Sequence, residues 1–260
     1  MTIVKFDQHF MIDKKIIKII IKEANICEKD TILEIGPGRG AITKEISKIA
    51  NSVVCIEIDK ENEKYLQFED EKCKVIYGNA LELIWNVSFN KIISNLPYVI
   101  IEPLFKKLTK INFDLCVFTI TKNYYDLLCD KSKKLHYFIN SYFDIKYVCD
   151  VDRNCFNPAP KVDSCVISVS HKKEITKYMS VIRSICNQDD KLLKNALLNI
   201  FWNDLQYTKK EAKEIISKFG LDEKTLSTNV SVLSNEQFVI VANEIEKHMI
   251  NFTDKENLSN

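Results

Sequence analysis

The chain lacks a surplus of charge of either sign: 37 Lys and Arg stand against 36 Asp and Glu in 260 residues. Proteins that grip nucleic acid through its backbone usually carry a basic excess. Any RNA contact here must therefore come from local clusters, such as Lys106/Lys107/Lys110 or Lys131/Lys133/Lys134. Long hydrophobic runs are also missing. The densest apolar stretch near the start, residues 16–21, is interrupted by Lys18 and flanked by lysines, which argues against a membrane span and a signal peptide. No Cys-x-x-Cys pair occurs among the nine cysteines. Their scattered spacing excludes a zinc ribbon and a disulfide framework, and predicts reduced, mostly buried thiols in a cytoplasmic protein without a metal site.

Two patterns divide what is there. The first two-thirds alternate β-branched runs with amphipathic stretches, as a parallel sheet with crossover helices requires. Asp13 is placed to cap a helix with an apolar side of Ile16, Ile17, Ile20 and Ile21. Strands are expected over 31–35, 52–56, 74–77, 91–94 and 114–120, with an antiparallel closing pair at 144–151 and 164–170. Helices are expected over 41–50 and, as a polar segment, after Asp59. Beyond residue 172 the pattern is helical, over 178–186, 192–202, 209–219 and 236–249, with Gly220 as a stop. The expected organisation is an α/β, Rossmann-like domain over 1–172, a small all-helical domain over 173–254, and a frayed tail over 255–260.

Glu34-Ile35-Gly36-Pro37-Gly38-Arg39-Gly40 lies between a strand and a helix. Glycine there lets the backbone turn sharply and approach a ligand closely. The spacing G-x-G-x-G lacks the last glycine position of the dinucleotide fingerprint. Glu57, at the end of the next strand, is placed to accept hydrogen bonds from two ribose hydroxyls, and Asn79, after the third, can pair with an adenine edge. Taken singly, these are a solvated acid and a turn residue. In order, at the carboxyl ends of successive strands, they describe a nucleoside site.

Asn95-Leu96-Pro97-Tyr98 directly follows the fourth strand. Adenine N6 is a poor nucleophile because its lone pair is delocalised into the ring. An Asn oxygen and a backbone carbonyl, both accepting from the amino hydrogens, pull that lone pair towards tetrahedral geometry. Pro97 stiffens the turn that aims the Leu96 carbonyl, and Tyr98 offers a face on which a flipped base stacks. Placing the nitrogen in line with a transferable methyl supplies most of the remaining catalysis.

These segments, with Gln8-His9-Phe10, Ile56-Glu57-Ile58-Asp59 and Phe156-Asn157-Pro158-Ala159-Pro160-Lys161-Val162-Asp163-Ser164, resemble the successive motifs of the rRNA adenine N6-dimethyltransferases. That family comprises the KsgA group, acting on small-subunit rRNA, and the Erm group, acting on large-subunit rRNA. The resemblance implies S-adenosyl-L-methionine as cofactor. It places Gln8, Phe10, Glu34 and the turn Gly36, Gly38 and Gly40 near its methionine part, Glu57 on its ribose, and Ile58, Asn79 and Ala80 near its adenine. Asn95, Leu96, Pro97 and Tyr98 hold the target base, Asn95 also borders the cofactor, and Phe156 packs on the base's other side. The helical domain is implied to contact RNA.

Departures from the family pattern bear on the target. Asn79 stands where the family usually has Asp, and Ile101-Glu102 replaces a Ser/Thr pair. Residues 119–125 lack the customary Gln and Glu. Ser132-Lys133-Lys134-Leu135 is closer to the Erm group, whereas Asn187-Gln188, Lys191 and Lys194-Asn195-Ala196-Leu197 resemble the KsgA tail, with Asp189-Asp190 in place of its basic pair. These changes are expected on an RNA-facing surface. The leading expectation is a monomeric KsgA-like enzyme modifying adjacent adenosines near the 3′ end of small-subunit rRNA in a pre-ribosomal particle. An Erm-like enzyme and a non-catalytic ribosome-assembly or transcription factor are the alternatives.

Overall fold

A computed structural model describes residues 8–68 and 71–256, which divide into two compact units. One runs up to Asp126 and resumes over Phe143–His171; the other comprises Leu127–Tyr142 and the chain from Lys172 onward.

The first unit contains, in chain order, β1 (Phe10–Met11), α1 (Lys14–Ala24), β2 (Thr31–Ile35), α2 (Thr43–Ile46), β3 (Ser52–Glu57), β4 (Cys73–Tyr77), α3 (Ala80–Leu83), β5 (Lys91–Asn95), α4 (Ile101–Leu108), β6 (Leu115–Thr121) and the start of α5 (Lys122–Cys129), then β7 (Phe143–Val151), β8 (Phe156–Asn157) and β9 (Ser164–His171). Seven strands form one sheet in the order β4-β3-β2-β5-β6-β9-β7. The first five are parallel, and β9 lies antiparallel between β6 and β7, which is the expected closing pair. A parallel sheet must be covered on both faces; accordingly Ile32, Leu33, Ile92, Ile93, Val117 and Phe118 are all buried. Strand order reverses between β2 and β5, so a crevice opens at their carboxyl ends.

Asp13 caps α1 as expected, its Oδ1 accepting from Lys15 N at 2.6 Å and Ile16 N at 3.2 Å, and Ile17, Ile20 and Ala24 enter the core. Two other helices shrink. The expected 41–50 helix is regular only over α2, because i→i−3 bonds from Glu45 to Ile42 and from Ile49 to Ile46 tighten it at both ends. The polar segment after Asp59 is a 3-10 stretch, Lys60–Tyr65. Its sequence carries no apolar stripe with which an α-helix could dock.

The second unit contains α6 (Lys134–Tyr142), α7 (Lys177–Cys186), α8 (Leu193–Asn199), a π-turn over Ile200–Asp204, α9 (Lys209–Ser217), α10 (Glu223–Leu226) and α11 (Asn235–Glu256). Its core gathers Ile185, Leu197, Phe201, Phe219, Phe238 and Ile245. Here the expected boundary is corrected: residues 127–142 do not belong with 1–126. Tyr137 and Phe138 of α6 pack on the helical core, and the α7 residue Arg183 donates from Nε to Ser141 O at 2.9 Å. Residues 255 and 256 continue α11 rather than opening the frayed tail, of which 257–260 lie outside the described residues.

None of the nine cysteines is in a disulfide; four are buried, three half-buried, and Cys27 and Cys129 exposed. Among the described residues, no group of side chains could hold a metal ion, and no helix is long and apolar enough to cross a membrane.

Candidate active site

A cavity of about 470 Å³ opens at the strand-order reversal. The carboxyl ends of four strands build it, with the turn after β2, the end of β3, the segment after β4 and the tetrad after β5, and residues 8–11 close it. Gly36, Gly38 and Gly40 have φ of +67°, +56° and +73°, a region open to glycine at little cost. The turn is pinned by Gly36 N donating to Ile56 O at 2.9 Å and Gly38 N to Glu57 Oε2 at 3.0 Å. A Cβ on Gly38 would lie 2.7 Å from the Phe10 ring, so the turn and β1 are in direct contact.

Glu57 is 3% exposed and accepts a second backbone bond, from Asp59 N to Oε1 at 2.9 Å. A carboxylate has about four acceptor positions, which leaves acceptor capacity for a ribose. Asp59 in turn receives Gln8 Nε2 at 2.8 Å, bringing Gln8 to the cavity wall. Glu34 is buried beneath the turn, and burial raises its carboxyl pKa to about 8, with the Glu57 charge adding to the shift. Asn79 caps α3: its Oδ1 accepts from Leu81 N at 3.0 Å and its Nδ2 donates to Glu82 at 3.1 Å. Ile58, half exposed, and Ala80 complete this side.

At the opposite wall, Ser94 Oγ donates to Ile35 O, joining the ends of β5 and β2. Asn95 Nδ2 donates to His9 O at 2.9 Å. Because a carbonyl can only accept, this bond fixes the amide orientation and assigns Oδ1 as the free acceptor. Leu96 N donates to Thr119 O at 3.1 Å, and Ile100 N to Pro97 O at 3.1 Å. Tyr98 stacks on His9 with ring centroids 6.1 Å apart, and its hydroxyl lies 3.2 Å from Ser164 Oγ.

Most of the expected site residues therefore meet in one cavity: Gln8, Phe10, Glu34, Gly36, Gly38, Glu57, Ile58, Asn79, Ala80 and the tetrad all line it. Two do not. Gly40 faces the Phe68 ring. Phe156 is 3% exposed and packs in the core, where its strand β8 pairs with β1 through Phe10↔Asn157 and Met11↔Phe156. Of the two residues expected on an RNA-facing surface after the tetrad, Ile101 is buried and only Glu102 is exposed, paired with Lys106 at 2.8 Å. His9 was missed as a site residue although it sits inside a quoted motif; its carbonyl and ring organise both Asn95 and Tyr98. Asn62 was missed too: it lines the cavity, and its buried Nδ2 has no partner.

The donor set suits a nucleoside without phosphates. The Gly38 N–H that would cradle a phosphate is already bonded to Glu57, whose carboxylate lines the wall. Such a wall favours a cation over a polyanion. The orphaned Asn62 amide supplies a further polar anchor.

A strand-order-reversal cavity with this turn, this acidic strand end and this tetrad defines an S-adenosylmethionine-dependent methyltransferase. A family model described as ribosomal RNA adenine dimethylase matches residues 3–247, and the chain belongs to that family. It is similar to the ribosomal RNA small subunit methyltransferase A of a Sulfurihydrogenibium species, with 34% identity covering 93% of this chain and 95% of that one. It also resembles the probable ribosomal RNA small subunit methyltransferase A of Methanococcus vannielii, with 30% identity covering 84% and 87%. Among solved structures, a dimethyladenosine transferase from Plasmodium falciparum shares the fold, with TM-score 0.63 and 22% identity over 92% of this chain and 98% of that one. The 23S rRNA methyltransferase ErmE shares it with TM-score 0.58 and 20% identity over 91% and 99%.

Proposed function

We propose that this rRNA adenine dimethyltransferase acts on adjacent adenosines near the 3′ end of small-subunit rRNA, within a pre-ribosomal particle, as a cytoplasmic monomer. The small-subunit assignment follows the names of its relatives. The chemistry rests on one observation: the Asn95 amide is turned by the His9 carbonyl so that Oδ1 remains to accept at the cavity.

S-adenosylmethionine, when bound, supplies an electrophilic methyl group on a sulfonium. The chain's own residues do the rest. Glu57 accepts from ribose hydroxyls, Ile58 and Ala80 flank the cofactor's adenine, and the Asn79 amide meets its edge. Gln8, Phe10, Glu34 and the turn Gly36 to Gly38 enclose the amino-acid end. Asn95 Oδ1 and the Leu96 carbonyl accept from the N6 hydrogens and localise the nitrogen lone pair. Pro97 holds that carbonyl in place, and Tyr98 stacks on the base. Phe156 acts through β1, keeping His9 where Asn95 and Tyr98 need it. No strong base is required, because the amino group becomes acidic once alkylated. The helical unit carries RNA contacts.

The test is primer extension on hypomethylated small subunits incubated with protein and cofactor. Stops at the 3′-terminal adenosines are expected. Their absence rejects the small-subunit assignment, and stops in large-subunit rRNA instead establish the Erm-like reading.

A further inference from the structure

A second cleft, of about 280 Å³, lies at the same edge of the sheet. Lys122, Asn123, Asp126, Arg153, Lys161 and Asp163 line it. Its walls are the segment leaving β6 and the loop between β7 and β9. The registers Asn95↔Thr119 and Thr121↔Ser164 show that these segments leave the strands beside the tetrad. At a strand spacing of about 4.8 Å and a rise of about 3.3 Å per residue, Lys122 and Asp163, one and two strands across and three residues further along, lie about 10–15 Å from Asn95. Tyr98 bridges the gap, its hydroxyl meeting Ser164, the residue after Asp163.

The charges in the cleft are unevenly committed. Lys122 is paired with Asp150 at 2.5 Å, and Tyr147 donates to the same carboxylate. Asp163 accepts the Arg153 backbone N–H at 3.1 Å, and its carbonyl accepts Lys122 N at 3.0 Å. The side chains of Arg153 and Lys161 are exposed and make no hydrogen bond or ion pair among the described residues. Two free cations thus converge on a polar cleft beside the site of the flipped base. A guanidinium and an ammonium are the side chains suited to phosphate oxygens. Asp126, the remaining carboxylate, provides the acceptor that a ribose 2′-hydroxyl needs.

The geometry points to this cleft as the seat of the ribose-phosphate flanking the target adenosine, with Arg153 and Lys161 on the phosphate. This inference rests on the proposed transfer to rRNA and adds a place for the neighbouring nucleotide.

The experiment compares the full-length protein with R153Q/K161Q, binding a small-subunit rRNA 3′-terminal fragment across a salt series. Each lost single-strand phosphate lowers the log–log salt slope by about 0.7, so the double variant, whose two cations share one phosphate, loses about 0.7. The dissociation constant for RNA rises about tenfold or more. Cofactor affinity, measured by calorimetry, stays within twofold. An unchanged slope and affinity overturn the inference, as does a loss of affinity without a loss of slope. If the wild type methylates small subunits and the variant keeps its slope, only the cleft assignment fails. If the wild type does not methylate them, the transfer reading fails, and the slope still decides whether the cleft holds phosphate.

Discussion

Gly36 and Gly38 look interchangeable in sequence, but they should respond very differently to alanine. Both have positive φ, so either substitution costs about 1–2 kcal/mol of backbone strain. At Gly36 little more is added, since the new Cβ would sit 3.5 Å from Pro97, an ordinary contact. At Gly38 the Cβ would lie 2.7 and 2.9 Å from two atoms of the Phe10 ring. That ring cannot swing away freely, because the Arg39 guanidinium lies 4.5 Å over it and its backbone pairs with Asn157. Overpacking of this kind adds about 1–3 kcal/mol. G38A should therefore lose about 2–5 kcal/mol against about 1–2 for G36A. Urea denaturation measures the difference, and calorimetry should show G38A losing cofactor affinity as the Gly38–Glu57 bond is displaced. A G36A variant as unstable as G38A, or a G38A variant with wild-type cofactor affinity, refutes the reasoning.

N95A should lower methyl transfer about 10²–10³-fold, the usual effect of deleting one aligned polar group at a reacting centre. Its cofactor affinity, read by calorimetry, should stay nearly intact, and a fully active variant removes Asn95 from the mechanism. Glu34 gives a pH signature. Its folded pKa, near 8, lies above the ordinary carboxyl value of 4.5, so between those values the native state binds more protons than the unfolded one. Its contribution is present at low pH and is lost as pH rises through about 8. Urea midpoints of E34Q should fall less than those of wild type between pH 5 and 8, and parallel profiles would rule the assignment out.

The sheet was legible in the sequence because buried parallel strands read as β-branched runs, and the expected spans match β2, β3, β5 and β9 to within a residue or two. The convergence of most of these residues on one cavity was equally legible, since they sit at strand ends, where spacing in the chain translates into position. What escaped depends on contacts far apart in sequence. Nothing around His9 announces that its carbonyl would meet Asn95, 86 residues away. The motif containing Phe156 suggested a hand on the base, whereas the side chain is a core anchor. The assignment of 127–142 to the helical unit was hidden for the same reason: Tyr137 and Phe138 reveal their partners only once α7 and α11 are placed.

The short pairing of β1 with β8 has a consequence for synthesis. Every wall of the 470 Å³ cavity lies within residues 8–100, but β1, next to His9, gains its partner strand only when residues 156 and 157 exist. His9 Nδ1 also reaches Pro158 O, at 2.9 Å. A chain emerging from the ribosome therefore builds the walls of the cavity before the pairing that steadies His9 beside Asn95. On the proposed mechanism, competence for the reaction then waits in translation for the Phe156–Asn157 strand.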